Sequence, residues 1–140
     1  MCRYPADRAL GVSLALGLVL ASAAGCGERG PERFRVSGTV THAGRPVQLG
    51  RIVFEPDTSR GNDGPQGFAP IENGRFDTSG PHCRGTVGGP MRVRIDGFEM
   101  KDGEDAAASG KLLFPSYEEA ANFPRATVER DFVVPAQQGR

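Results

Sequence analysis

Nucleophilic and metal-binding chemistry has few carriers in this chain of 140 residues, which contains three Cys and two His. Cys83 stands between His82 and Arg84, and cationic neighbours lower a thiol pKa toward the reactive thiolate. A catalytic cysteine also needs a base that a third group orients. Nothing near Cys83 in sequence supplies that pair, so it reads as a spare thiol. His42 and His82 come without a His-Glu helix motif, and no zinc site is expected.

Other residue types raise possibilities that their spacing then removes. Asp57, Asn62 and Asp63 offer oxygen ligands for calcium. A calcium loop of the EF-hand kind, however, alternates its ligands and ends in a bidentate acid. The segment 57–67 therefore reads as a solvated loop. Arg92 and Arg94 fall on one face of an alternating stretch, where guanidinium pairs grip carboxylate or phosphate. Asp96 shares that face, and charged outer faces are normal in antiparallel sheets. Gly85-Thr86-Val87-Gly88-Gly89 lacks the Lys and the following helix of a phosphate loop, and is read as a flexible connector. No Gly-x-Ser-x-Gly elbow or dinucleotide fingerprint occurs. No cofactor is expected.

The elements that would hold such residues are strands. From residue 26 onward the chain carries all but three of its 20 Gly and all but one of its 11 Pro. That density opposes long helices and favours short strands joined by turns. Phe34 to Thr41 alternates with Val36 and Val40 on one face, and Gly50 to Glu55 places Ile52 and Phe54 together. Asn73-Gly74, between Phe68–Glu72 and Arg75–Thr78, is a two-residue hairpin turn that buries Phe76. Pro70 predicts an edge or bulge. Met91, Val93 and Ile95 point inward. Residues 99–111 read as a charged mobile insert, and Ser116 to Ala121 as one helical turn capped by Ser116. Ala126 to Val134 closes the fold as a strand, with Arg130 at its rim. Six or seven strands in all predict an antiparallel β-sandwich.

With 17 basic and 17 acidic side chains, the chain has no electrostatic bias toward nucleic acid. Its N-terminus is different in kind. Arg3 and Arg8 precede the uncharged run Ala9 to Leu20, and a small-residue stretch, Ala21 to Gly25, ends at Cys26. The run is shorter than the roughly 20 residues of a bilayer span and has the form of an export signal. Ala23-Ala24-Gly25-Cys26 resembles the lipobox of bacterial lipoproteins, with Ala23 where that motif more often has Leu. The resemblance implies cleavage between Gly25 and Cys26, acylation of the Cys26 thiol, and durable membrane anchorage by several acyl chains. Residues 1–25 are then a signal peptide and 26–33 a lipidated tether. Cys83 remains without a partner, so no disulfide framework is expected.

The runs Val36-Ser-Gly-Thr-Val40, Gly44-Arg-Pro-Val47, Ile52-Val-Phe-Glu-Pro56, Asn73-Gly-Arg-Phe76 and Gly89-Pro-Met-Arg-Val-Arg-Ile95 resemble a carboxypeptidase regulatory-like domain. Phe114-Pro-Ser-Tyr117 is similar as well. The resemblance implies a transthyretin-like (prealbumin-like) β-sandwich of about seven strands over 34–135, followed by a tail at 136–140. Hydroxyisourate hydrolases share that fold but use paired His and Arg and a Tyr-Arg-Gly-Ser ending. This chain ends Ala136-Gln-Gln-Gly-Arg140. Hence the expectation is a non-enzymatic lipoprotein of the bacterial cell envelope, binding an unidentified envelope protein or glycan. The alternative is a carbohydrate-binding module; it would rest on Tyr117, since the chain has no Trp.

Overall fold

The computed structural model describes residues 30–100 and 108–137. In chain order the strands are β1 (Val36–His42), β2 (Arg45–Pro46), β3 (Leu49–Pro56), β4 (Gly67–Glu72) and β5 (Arg75–Asp77). They continue with β6 (Gly89–Met100), β7 (Ala108–Leu112), β8 (Tyr117–Phe123), β9 (Val128–Glu129) and β10 (Phe132–Val134). A single 3-10 turn, Thr58–Arg60, interrupts the β structure of the described residues. The protein is all-β.

The strands form one sheet with the path β10-β1-β5-β4-β3-β6-β7, curled as a half-barrel. β2 and β9 also pair with β1, and β8 pairs with β6. Most pairings are antiparallel. The exceptions are β9 and β10, which run parallel to β1 with Val36 opposite Val128 and Val40 opposite Phe132.

Alternation decides which face of each strand is buried. Val36 and Val40 of β1 are fully buried, as are Ile52 and Phe54 of β3 and Met91, Val93 and Ile95 of β6. Phe54 sits among three other rings, with centroids 5.3 Å from Phe123, 6.1 Å from Phe76 and 6.4 Å from Phe132. The rings come from β3, β5, β8 and β10, so this cluster draws the two ends of the sheet toward its middle.

The β4–β5 hairpin forms where the Asn-Gly pair predicts it. Asn73 and Gly74 take φ of 50° and 75°, and Glu72 pairs with Arg75. Both turn residues thus hold the positive φ of a type I′ turn. Pro70 marks the place where β4 and β5 part. The amide of Phe68 donates to Arg84 O on the side of β4 away from β3, and by alternation the missing N–H of Pro70 falls on that same side.

Four expectations are corrected. Ser116 to Ala121 is not a helical turn: residues 117–123 are β8, paired with β6 from Tyr117 opposite Ile95 to Phe123 opposite Gly89. Tyr117, Glu119, Ala121 and Phe123 form one face, a period of two that burial against the core enforces over the helical preference of Glu and Ala. Within 99–111, Ala108 to Leu112 is the strand β7, paired with β6; residues 101–107 lie outside the described part. The closing strand is two short ones, β9 and β10, separated by Arg130 and Asp131. The loop 57–67 is exposed along most of its length but not at Asn62, which is buried.

Candidate functional site

The predicted lipid-bearing Cys26 and the cleavage position after Gly25 lie outside the described residues. The other candidates are scattered. His42 ends β1 with Nδ1 3.3 Å from Val134 O and its ring against Phe114. His82 is exposed in the 79–88 loop with φ of 62°. Cys83 is half-buried against the core cluster, its Sγ 3.6 Å from Pro81 O.

The acidic loop residues are engaged in turns. Asp57 Oδ1 accepts from the Ser59 amide at 3.1 Å, and hydrogen bonding to Ser59 holds the Asp57 carboxyl below its ordinary pKa. Asp63 accepts from the Gly64 amide at 2.7 Å. Asn62 turns inward, where Nδ2 donates to Gly88 O at 2.9 Å and Pro90 O at 2.6 Å. The first of those carbonyls belongs to the Gly-rich stretch 85–89 and the second to the start of β6. That stretch is no flexible connector: Thr86 is fully buried and bridges to Phe34, and a Cβ on Gly88 would lie 2.7 Å from Arg125 Cγ.

The outward face of β6 is also more built than a solvated strand. Arg92 is exposed, and Arg94 lies 3.4 Å from Glu55. Asp96 is buried, contrary to expectation, because Ser116 Oγ donates to it while Arg51 stands 3.3 Å away. Burial of a carboxylate requires such partners, and both come from strands or corners distant in sequence. Tyr117, the sugar-stacking candidate, is half-buried, with its hydroxyl donating to Glu119 Oε2 at 3.0 Å. Burial first, and Glu119 second, raise the Tyr117 pKa.

A groove of about 630 Å³ lies on the face of β9, β1, β5 and β4 turned away from the core. Its floor is Ser37, Gly38 and Thr39 of β1, whose neighbours Val36 and Val40 face inward. Across this floor the pairing sets rows of side chains: Glu129, Ser37 and Asp77 in one, Thr39 and Arg75 in the next. Asp131 joins the second row, accepting from the Thr39 amide at 2.8 Å. Hydrogen bonding to Thr39, through side chain and backbone, lowers its pKa. Arg35 closes one end by donating from Nε to Asp77 Oδ1 at 2.9 Å and from its second arm to Oδ2. That contact, ahead of bonds from Ser79, holds the Asp77 carboxyl well below the carboxylate range. Pro81 and Cys83 form a wall.

Compared with known proteins, the chain matches no family model, no curated protein and no solved structure. Among the described residues no three His, Cys, Asp or Glu are grouped as a metal site, and no helix is long and apolar enough to cross a membrane.

The groove has no counterpart in the local sequence pattern. Arg75 and Asp77 were legible as outward positions of a hairpin, but Glu129 and Asp131 join them only because β9 and β10 lie parallel beside β1. A parallel contact between residues about ninety apart leaves no local signature.

Proposed function

We propose that this chain is an exported lipoprotein whose acylated Cys26 anchors a non-catalytic binding module at the bacterial cell envelope. One observation carries the reading: Arg3 and Arg8, the apolar run Ala9 to Leu20 and the small residues Ala21 to Gly25 lead in that order to Cys26. The polar segment 27–33 then separates the thiol from β1. Several acyl chains on one residue give durable attachment where one chain is marginal.

In this reading the body is the transthyretin-like sandwich of a carboxypeptidase regulatory-like domain. In support, the motif residues quoted for the resemblance fall in β1, β3, β5, β6 and the turns joining them. The half-barrel turns one face of its strands toward a polar groove, and binding is the function such a surface serves without chemistry of its own.

Detergent-phase partitioning of the wild type against Cys26→Ala, with mass spectrometry of the N-terminal peptide, tests the anchor. The expected result is a wild type in the detergent phase that begins at an acylated Cys26, and a variant in the aqueous phase. Equal partitioning, with a bare thiol and the leader retained, overturns the reading.

A further inference from the structure

β8 leaves one side of its backbone without a partner. It pairs with β6 alone, in an unbroken register over its 7 residues, and contains neither Pro nor Gly. The other free edges of the described sheet are short or irregular. β10 has 3 residues and runs into Pro135, β9 has 2, and β7 carries Gly110 at a φ of 80° and meets β6 with a register shift. Such features blunt an edge against pairing with another chain, and β8 lacks them.

The groups that β8 offers follow from its register with β6. Pro90 has no N–H, and its carbonyl accepts from Asp57, just past β3, at 3.0 Å; the Gly97 carbonyl faces the other way and accepts from Leu113 at 2.8 Å. Backbone groups alternate along an antiparallel strand, so the even residues of β6 bond toward β3 and the odd ones toward β8. Through the register, Tyr117, Glu119, Ala121 and Phe123 therefore bond to β6. The N–H and C=O of Glu118, Ala120 and Asn122 point out from the sheet, and all three residues are exposed.

A second copy of this edge fits the first in one register. With a two-fold axis at Ala120, Ala120 lies opposite its counterpart and Glu118 opposite Asn122 in both directions, so every outward N–H and C=O is paired. Glu119 then lies opposite Ala121, and Tyr117 opposite Phe123. An axis at Glu119 or Glu118 sets that residue's carboxylate against itself, which is destabilising. An axis at Ala121 sets Glu118 against Pro124, which has no N–H to give. Glu118 makes no ion pair with a described residue, and its neighbour on β6, Arg94, is engaged by Glu55 and Asp96. Glu119 points inward, where Tyr117 and Arg130 already neutralise it. It therefore does not guard the edge as an unpaired inward charge does.

We propose that the protein dimerises by antiparallel pairing of β8 with β8 of a second copy, with Ala120 on the two-fold axis. The sheet of one copy then continues into the sheet of the other.

The test is oxidative crosslinking, with copper phenanthroline in air, of the purified full chain at about 100 µM, its native Cys2, Cys26 and Cys83 replaced by Ala. Ala120→Cys in this background is expected to give a disulfide dimer on a non-reducing gel, because directly opposed residues of such a pair have Cα atoms about 5.5 Å apart, within disulfide reach. Glu118→Cys alone and Asn122→Cys alone are expected to stay monomeric, each being displaced from its counterpart by about 13 Å along the strand. The two together are expected to crosslink. Sedimentation velocity supplies a second reading without cysteine: Asn122→Lys, which faces Glu118 twice, is expected to tighten the dimer roughly fivefold or more, and Asn122→Glu to loosen it by a similar factor. Circular dichroism matched to wild type establishes that each variant is folded. No dimer from folded Ala120→Cys, equal crosslinking at the three positions, or a dimer indifferent to the charge at 122 overturns the proposal. The tested chain lacks Cys26, so the result does not depend on the anchor.

Discussion

Arg130 reaches from the β9–β10 junction to Glu119 on β8, Nη2 to Oε1 at 3.4 Å, and so joins two strands that share no backbone pairing. Its guanidinium carbon lies 5.4 Å from the Phe123 ring centroid and 5.5 Å from that of Phe132. The sheet's ends meet through a side chain. Because Arg130 and Glu119 are 38% and 27% exposed, the ion pair itself contributes little, and packing of the stem and the ring contacts dominate. Arg130→Ala is expected to destabilise by about 1–2 kcal/mol in urea unfolding. Glu119→Gln is expected to cost no more than about 0.5 kcal/mol. The reverse order would make the ion pair the principal closure.

Asp77 gives a pH dependence with a definite sign. Its folded-state pKa is depressed by Arg35, so its contribution to stability is present above the unfolded carboxylate value of about 3.9 and is lost as pH falls below it. The pair is about half exposed, so the effect is modest and screened by salt. Asp77→Asn is expected to flatten the acid limb of the urea midpoint against pH at low ionic strength, and to matter less in high salt. An unchanged acid limb would remove Asp77 from the account.

Asn62 ties the 57–67 loop to the start of β6 through its two bonds to the carbonyls of Gly88 and Pro90. Asn62→Ala leaves those carbonyls without this donor and is expected to cost about 1–3 kcal/mol. Asn62→Asp should cost more, since it points a carboxylate oxygen at two carbonyl oxygens. Urea denaturation of the two variants checks both size and order.

Gly38 is the point at which the parallel strands approach β1. A Cβ there would lie 2.0 Å from Arg130 O. Gly38→Ala is expected to cost about 2–3 kcal/mol by overpacking. It should also speed hydrogen exchange at the Arg130 amide, which donates to Ser37 O at 2.8 Å. Wild-type protection at that amide would show that the strands accommodate the methyl group.

Much of the first half was readable from local signals. β1 and β3 show their buried faces by alternation. The Asn73-Gly74 turn is legible because few residue pairs adopt its positive φ readily. The inward trio Met91, Val93 and Ile95 is legible for the same reason as β1. The misread places share a cause. Tyr117 to Phe123 contains Glu and Ala in succession, so its local preference is weakly helical, and the edge of β6 makes it a strand. Asp96 and Asn62 look like surface residues, since polar side chains are buried only where distant partners satisfy them.

Residue order alone settles β1, β3, the β4–β5 hairpin turn and the inward trio of β6, because periodicity and turn chemistry act over a few neighbouring positions. It also holds the basic, apolar and small residues that lead to Cys26, on which the proposed anchor rests. The groove, the burial of Asp96 and the Arg130 closure were decided by tertiary structure. Each requires strands far apart in sequence to lie side by side, and the common core around Phe54 brings them there.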